Sequence, residues 1–423
     1  MTVRVEIIAI GSELLSEEVK NTTTSFLVNQ LTALGYTIKK LSTIDDQMEE
    51  ITGAVYEALR RANLIFLTGG LGSTPDDLTR EAVAAVLKMP MEFRNDLWEE
   101  IQQYFIKRNR SVPPANMKQA YLPCGAVPLR NSLGTAPGIL VPYSNNQTII
   151  VLPGPPQEAR EMFINEVKPY LLEHYPPLKI IKERVFKIIG IGETVVYEKL
   201  KDLVANLQNY GIICSFLPKS GEVWLIFKWD SSSKKQNDLF QQLENEMINI
   251  LGDDLYGFDD ETLSGKVGEL LVNRGFTVGV AESCTGGLVA SCLTDVAGSS
   301  RYVQGGIVAY SNEIKEKVLG VNPKTLEQYG AISPETAREM ARGARIVLNS
   351  TFGLATTGLA GPEGEPGIPV GTVFLGLSTP DTELAQKIFF PGVGRQTLKT
   401  IAAKRALDLL RRYLINPDGV DSL

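Results

Sequence analysis

The stretch LIFLTGGLGSTPDDLTREAVAAVLK, residues 64–88, contains the unit that decides the fold. Leu64–Leu67 is a short apolar run typical of a buried strand, and it leads into a glycine-rich turn. Asp77–Lys88 has helical spacing and begins with acidic residues, where the helix dipole favours negative charge. The same order of strand and helix recurs in Val3–Leu34 and Thr148–Leu172. This alternation predicts a parallel sheet with helices on both faces, which binds ligands at the carboxyl ends of its strands.

The chain divides into three blocks of different pattern. Residues 1–174 carry the alternating strands and helices, and residues 176–252 show a smaller α+β pattern. Residues 258–415 alternate again, and near their end we predict an antiparallel strand pair followed by a helix. A length of 423 residues suits two or three domains. We therefore predict a multidomain α/β protein with a small α+β domain in the middle of the sequence.

The composition excludes several kinds of site. The chain has one histidine, His174, so a multi-histidine zinc site cannot form and a serine–histidine pair has only one place to form. Four cysteines without a CxxC pair predict a reduced, cytoplasmic protein. The formal net charge of −7 argues against non-specific nucleic-acid binding. No apolar run reaches the length of a membrane span, so we expect no membrane partner.

A glycine-containing turn, AESCTGG at residues 281–287, follows a predicted strand of the third block. Such a turn brings backbone N–H groups to a helix N-terminus, which suits an anion or an oxyanion. Ser283 is then the candidate nucleophile, and Cys284 is its rival. The alternative is a plain strand–helix turn in which the glycines only allow close packing.

A serine nucleophile in this block needs a base other than histidine. Tyr310 ends a predicted strand, and Lys315 lies in the first turn of the next helix. Lys315 can act as a base only where burial lowers its pKa. The commoner alternative is a solvated lysine on a helix surface.

Two further residues of the third block are candidate substrate contacts. Thr357 follows a strand in the segment TTGLAGP and can donate a hydrogen bond to a substrate, or it is simply a turn hydroxyl. Arg395 lies at the start of the last predicted helix. It is either a phosphate ligand or a surface arginine.

The first block contains a glycine-rich loop followed by two carboxylates, GGLGSTPDD at residues 69–77. It is neither a P-loop nor a GxGxxG motif, but it can cradle a phosphate while Asp76 and Asp77 hold a divalent metal. Alternatively, the aspartates cap the following helix. The segment NSLGTAPG at residues 131–138 can face the same ligand. The predicted pocket residues are Gly70, Gly72, Thr74, Asn131, Gly134 and Thr135.

Taken in order, these motifs resemble the CinA (competence/damage-inducible protein A) family over essentially the whole chain. They are GGLGSTPDDLT, PPANMKQAYLP, NSLGTAPG and PGPPQE, followed by AESCTGG, YSNEIK, TTGLAGP and PVGTV. The resemblance implies an N-terminal MoaB/MogA-like domain of the molybdopterin-binding type. It also implies a KH-like connecting domain and a C-terminal nicotinamide-mononucleotide deamidase domain.

For the third domain, the resemblance implies hydrolysis of nicotinamide mononucleotide to nicotinate mononucleotide and ammonia, with no cofactor. Ser283 would attack the carboxamide, and Tyr310 and Lys315 would handle the protons. The implied oxyanion and substrate contacts are Gly286, Gly287, Thr357 and Arg395.

For the first domain, the resemblance implies a metal-dependent ADP-ribose pyrophosphatase that uses Mg, Mn or Co, with K as a further ion. Asp46, Asp76 and Asp77 would be the metal ligands. Several positions depart from the family pattern, among them Glu17, where a glycine is usual, and Asp45, which replaces the glycine of a Gly-Asp pair. The added carboxylates predict a weaker phosphate site, because like charges repel.

Two alternative functions stay open from the sequence. One is a protein that acts mainly as an ADP-ribose phosphohydrolase, and the other is a non-catalytic interaction protein of competence or DNA damage. The middle block gives the second little support, because its charges nearly balance and it lacks the Gly-x-x-Gly loop by which KH domains clamp nucleic acid. We expect a homodimer whose ligands are small nucleotides.

Overall fold

The computed structural model describes residues 3–16, 18–144, 146–176, 179–364 and 367–417. Within these ranges the chain forms a six-stranded, a four-stranded and a five-stranded sheet and one two-stranded sheet, and the predicted α/β class is confirmed. In the same ranges, no helix is both long enough and apolar enough to span a membrane.

The N-terminal domain contains a six-stranded sheet and a separate two-stranded one. Its strands are β1 (Arg4–Ile10), β2 (Thr37–Ile44), β3 (Leu64–Thr68), β4 (Met91–Phe93), β5 (Tyr121–Pro123), β6 (Val127–Leu129), β7 (Gly138–Ser144) and β8 (Gln147–Leu152). The large sheet has the order β2-β1-β3-β8-β7-β6. The first four strands in this order are parallel, and β7 and β6 add an antiparallel edge that the alternating pattern did not predict.

Helices cover both faces of this sheet, as predicted. They are α1 (Ser12–Leu15), α2 (Thr22–Ala33), α3 (Met48–Leu59), α4 (Thr79–Leu87), α5 (Asn95–Ile106), α6 (Pro156–Met162) and α7 (Lys168–His174). Neighbouring residues of a strand point to opposite faces. Ile8 therefore belongs to the core that contains Ile51 of α3, whereas Ile7 belongs to the core that contains Leu27 of α2.

The middle domain is a four-stranded sheet with two helices. Its elements are β9 (Ile181–Ile189), α8 (Glu193–Asn209), β10 (Ile213–Lys219), β11 (Glu222–Asp230), α9 (Lys234–Leu251) and β12 (Leu255–Phe258). The order is β10-β11-β9-β12, with antiparallel pairing of β10 with β11 and of β9 with β12. Leu200 and Met247 of the helices share one core with Phe186 and Phe227 of the sheet.

The C-terminal domain has a five-stranded sheet. Its elements are α10 (Leu263–Asn273), β13 (Val278–Glu282), α11 (Leu288–Thr294), β14 (Val303–Val308), α12 (Asn312–Leu319), α13 (Pro323–Tyr329), α14 (Pro334–Val347), β15 (Phe352–Gly358), β16 (Thr372–Ser378), β17 (Glu383–Phe389) and α15 (Arg395–Ile415). The order is β14-β13-β15-β16-β17. The first three strands are parallel, so the segments that follow β13 and β14 meet at one edge of the sheet. β16 and β17 form the predicted antiparallel pair.

A buried ion network joins α15 to the middle domain. The Asp408 carboxylate accepts hydrogen bonds from Arg411 at 2.6 Å and from Arg412 at 2.9 Å. Arg411 also donates to the Asp253 carbonyl, and Arg412 donates to the Asp254 carboxylate at 2.9 Å. Asp408 and Arg411 are almost fully buried. The carboxylate of Asp408 therefore compensates guanidinium charges that water cannot reach.

We predict that Asp408→Asn lowers the free energy of unfolding by about 3 kcal/mol, because it leaves buried guanidinium charge without its carboxylate. Urea unfolding followed by circular dichroism measures the change. Glu313→Gln is the matched control, since it breaks the Glu313–Lys317 ion pair, whose side chains are 68% and 70% exposed. The control should lose less than about 1 kcal/mol. Equal losses in the two variants would contradict the prediction.

Candidate active site

Ser283 and Lys315 lie together at the carboxyl edge of the C-terminal sheet. Ser283 is the first residue after β13, and Lys315 lies in the first turn of α12. The Lys315 Nζ atom is 3.3 Å from the Ser283 Oγ atom. It also donates to the carbonyl oxygens of Ala309 at 3.0 Å and Tyr310 at 3.4 Å. The sheet therefore brings the predicted nucleophile and the predicted base into direct contact.

Lys315 is a buried amine without a counter-ion. Its side chain is 1% exposed, and it forms no ion pair with any carboxylate among the described residues. Its neighbours are carbonyl and hydroxyl oxygens, which cannot balance a full positive charge. Burial lowers the pKa of Lys315 below its ordinary value. The solvated surface lysine, which was the alternative interpretation, is thus not what the fold produces.

The rival nucleophile, Cys284, lies in a less favourable environment. Its side chain is buried, and burial raises the pKa of the Cys284 thiol to about 12. The thiolate is the nucleophilic form of cysteine, and burial in apolar surroundings keeps the group protonated. The environment therefore favours Ser283 over Cys284 as the nucleophile.

Tyr310 meets Lys315 through its backbone rather than through its phenol. The Tyr310 side chain is 63% exposed, and its hydroxyl accepts a hydrogen bond from Arg395 Nη2 at 3.0 Å. Arg395 Nη1 donates to the Gly361 carbonyl at 2.7 Å. Arg395 and Tyr310 are thus joined to each other, and no hydrogen bond joins the phenol to Lys315 or Ser283 among the described residues.

The turn after Ser283 corrects the expected oxyanion contacts. The Gly286 N–H donates to the Ser283 carbonyl at 3.2 Å, and the Gly287 N–H donates to Glu282 Oε2 at 2.9 Å. Both groups are therefore engaged inside the turn and are not free to bind a substrate oxygen. The glycines are required for the shape of the turn, because they take φ values of 61° and 96°.

Glu282 is a residue that the sequence patterns did not single out. Its carboxylate is fully buried and accepts hydrogen bonds from three backbone N–H groups at the start of α11: Gly287 at 2.9 Å, Val289 at 3.1 Å and Ala290 at 2.8 Å. A carboxylate at this position satisfies donors that a helix start leaves open and complements the helix dipole. The available signal was an acidic residue at a strand end, six positions before the first residue of a helix.

Thr357 is not exposed to a substrate in this arrangement. Its hydroxyl is buried and donates to the Ala331 carbonyl at 2.6 Å. The expected hydrogen bond to substrate is therefore replaced by one that fixes the loop before α14. The turn-hydroxyl alternative describes Thr357 better.

The N-terminal glycine-rich loop lines a cavity of about 670 Å³. Arg80 is fully buried and donates hydrogen bonds to the carbonyls of Leu71 at 2.8 Å and Gly72 at 3.0 Å. These two bonds hold the backbone of the loop in place. Gly70 must be a glycine, because its φ is +66° and a Cβ atom would lie 2.1 Å from the Thr79 hydroxyl. The predicted residues that line the cavity are Gly70, Gly72, Gly134, Thr135, Asp46, Asp76 and Asp77.

Thr74 and Asn131 shape the loops instead of lining this cavity. The Thr74 N–H donates to the Asp77 carboxylate at 2.9 Å. The Asn131 amide donates to the Ala136 carbonyl at 2.8 Å and to Glu158 at 2.7 Å. Their predicted ligand contacts are therefore replaced by contacts within the loops.

The three aspartates do not assemble a preformed metal site. In the described part of the chain, no group of three or more His, Cys, Asp and Glu side chains is placed to hold a metal ion. Asp77 is engaged by Thr74, and burial together with the neighbouring Asp45 raises the pKa of Asp46. Glu17, which the family comparison placed near this pocket, lies outside the described residues. Among the described residues these aspartates are therefore not arranged as a preformed cation site, and the expected divalent ion stays a prediction.

Three family models match the chain, one for each block. The model described as a probable molybdopterin binding domain matches residues 6–173, and the damage-inducible protein CinA KH domain matches residues 183–257. The CinA C-terminal domain matches residues 260–414. Fold and site thus define a multidomain α/β protein with a MoaB/MogA-like, a KH-like and a CinA-type domain.

Relatives of similar length match the chain over nearly its whole length. Proteins named as competence-damage inducible from Halothermothrix orenii and Caldanaerobacter subterraneus are 41% and 40% identical over 97% of this chain and 98% of their own. This chain belongs to the CinA family. The crystal structure of the competence/damage inducible protein CihA from Agrobacterium tumefaciens is 38% identical, with coverage of 35% of this chain and 91% of that one and a TM-score of 0.34.

We predict that Glu282→Gln destabilises the turn that carries Ser283. Both carboxylate oxygens of Glu282 accept backbone N–H groups, and in glutamine one of these oxygens is replaced by an NH2 group, which cannot accept. The loss should be about 1–3 kcal/mol in the free energy of unfolding. Hydrogen exchange should accelerate at the amides of Gly287, Val289 and Ala290. Glu269→Gln, an exposed carboxylate on α10, is the control. Unchanged protection of the three amides would contradict this role.

Proposed function

We propose that this chain is a hydrolase whose C-terminal domain releases ammonia from the carboxamide of nicotinamide mononucleotide and leaves nicotinate mononucleotide. The observation that carries this proposal is the 3.3 Å contact between the Ser283 hydroxyl and the buried amine of Lys315. The choice of substrate is supported by the family to which the chain belongs, and the cytoplasmic location and the homodimer remain predictions.

The first half of the reaction forms an acyl-enzyme. Neutral Lys315 takes the proton of Ser283 as the hydroxyl oxygen attacks the carboxamide carbon. Lys315 then gives this proton to the amide nitrogen as the carbon–nitrogen bond breaks. Ammonia leaves, Lys315 is neutral again, and the nicotinoyl group is bound to Ser283 as an ester.

The second half of the reaction reverses these roles with water. Lys315 takes a proton from a water molecule, whose oxygen attacks the ester carbon. The bond to Ser283 breaks, and the serine oxygen recovers the proton from Lys315. The carboxylic acid product ionises, and no cofactor, metal or external oxidant is needed to balance either half.

The negative charge on the attacked oxygen needs donors that the turn has not already used. Among the described residues, the backbone N–H group of Thr285 has no hydrogen-bond acceptor, and that of Cys284 reaches only its own thiol. They directly follow the nucleophile, which is the usual position of one oxyanion donor in strand–turn–helix sites. We assign the oxyanion to these two groups instead of to Gly286 and Gly287.

We do not extend the proposal to hydrolysis of ADP-ribose in the N-terminal domain. The cavity there is lined by the carboxylates of Glu13, Asp46, Asp76, Asp77 and Glu158. Without a metal ion, these negative charges repel a pyrophosphate. Among the described residues, no three of these carboxylates are grouped so that they could hold a cation. Because the proposed amidase reaction needs no metal ion, ammonia release should persist in the presence of EDTA.

We predict that Ser283→Ala and Lys315→Ala each lower kcat for ammonia release by at least about 10³-fold, since nucleophile and base act as a unit. A coupled ammonia assay on folded, full-length protein measures this loss. Ser291→Ala and Lys317→Ala, exposed neighbours on α11 and α12, are the matched controls and should stay close to wild type. A mild loss in Lys315→Ala would remove the lysine from the proton transfer.

We predict that kcat/KM falls as the pH is lowered through the pKa of Lys315. Burial lowers this pKa, so the amine is neutral at a pH where an ordinary lysine is charged, and only the neutral amine can accept the serine proton. Lys315→Arg should be inactive at every pH tested, because a guanidinium does not deprotonate. A wild-type profile that is flat on the acid side would contradict this assignment.

A further inference from the structure

We propose, on the basis of the function above, that Lys399 binds the phosphate monoester of the substrate and so selects a mononucleotide over the phosphate-free riboside. Lys399 lies on α15 and is partly exposed. None of the sequence motifs contains it.

The position of Lys399 places its charge beside the turn of the nucleophile. Its Nζ atom lies 3.6 Å from the point that a Cβ atom would occupy on Gly286. Arg395 is one helical turn earlier on the same face of α15, because residues four apart on a helix are neighbours. Lys399 and Arg395 therefore face the groups that surround Ser283.

The positive charge of Lys399 is not used by the protein itself. In the described ranges Lys399 forms no ion pair, whereas Lys404 on the same helix pairs with Glu222 at 3.1 Å. Glu282, the buried carboxylate of the adjacent turn, is satisfied by three backbone N–H groups. An ammonium that lies beside the turn of the nucleophile, with no acidic partner among the described residues, is suited to an anionic ligand.

The other two basic groups of the site are already engaged. Arg395 donates through Nη1 to the Gly361 carbonyl and through Nη2 to the Tyr310 hydroxyl. Lys315 must be neutral to accept the serine proton, so it cannot balance a phosphate. Arg395 keeps its charge, but of these three basic side chains Lys399 is the one whose nitrogen has no hydrogen-bond acceptor among the described residues.

The substrate has a matching distribution of groups. Its carboxamide lies on the pyridinium ring, and its phosphate lies at the far end of the ribose. When the carboxamide is at Ser283, the ribose holds the phosphate away from the reacting carbon, so a second group must bind it. Charge-assisted hydrogen bonds to phosphate are among the stronger polar contacts, so one lysine can change affinity by an order of magnitude.

The test compares two ligands that differ only in the phosphate. Binding of nicotinamide mononucleotide and of nicotinamide riboside is measured by isothermal titration calorimetry on the full-length Ser283→Ala protein, which cannot turn over. Adding Lys399→Ala should weaken the mononucleotide about tenfold and leave the riboside within about twofold. Lys399→Arg should keep most of the mononucleotide affinity. Lys387→Ala, an exposed lysine on edge strand β17, is the control for loss of one positive charge.

The outcomes separate this inference from the proposed function. Equal losses for both ligands, no loss for either, or no binding of the mononucleotide at all would overturn the role of Lys399. Absence of ammonia release by the unmodified chain would overturn the amidase, while the binding comparison would still decide whether Lys399 recognises phosphate.

Discussion

The chemistry proposed for the C-terminal domain depends on one constraint: the amine of Lys315 is buried, and no carboxylate among the described residues pairs with it. A lysine in water holds its proton too firmly to serve as a base near neutral pH. Two carbonyl oxygens and one hydroxyl surround the amine here. They can form hydrogen bonds with the neutral amine, but they carry no negative charge that would stabilise the protonated form. The domain thereby obtains a proton acceptor from a chain that has a single histidine elsewhere.

The pKa of Lys315 would not be lowered in the same way if a neighbouring carboxylate were free to pair with its amine. Glu282 precedes Ser283 and is as buried as the lysine. Its carboxylate is surrounded by the N–H groups at the start of α11, so its charge is compensated by the helix and not by the amine. The acid and the base thus have separate sets of hydrogen-bond partners.

The sequence predicted the parts of this site that depend on topology. Strand ends of a parallel sheet meet at one edge, so Ser283 and Lys315 could be expected near each other from the strand pattern alone. Hydrogen bonds inside turns could not be foreseen, because they depend on where each N–H and hydroxyl points. Gly287 and Thr357 therefore proved to be engaged within the protein.

Helix α15 has a second consequence for how this molecule can be divided. Its 21 residues span about 30 Å, with Arg395 at the end beside the nucleophile and Arg411 near the other end, bound to the Asp253 carbonyl. A fragment that began after Asp253 would keep the proposed catalytic residues, but the buried guanidinium of Arg411 would lose its hydrogen bond to the Asp253 carbonyl. A fragment meant to fold by itself should therefore begin on the amino-terminal side of Asp253. The residues that follow the helices of the middle domain supply hydrogen-bond acceptors for the C-terminal end of α15.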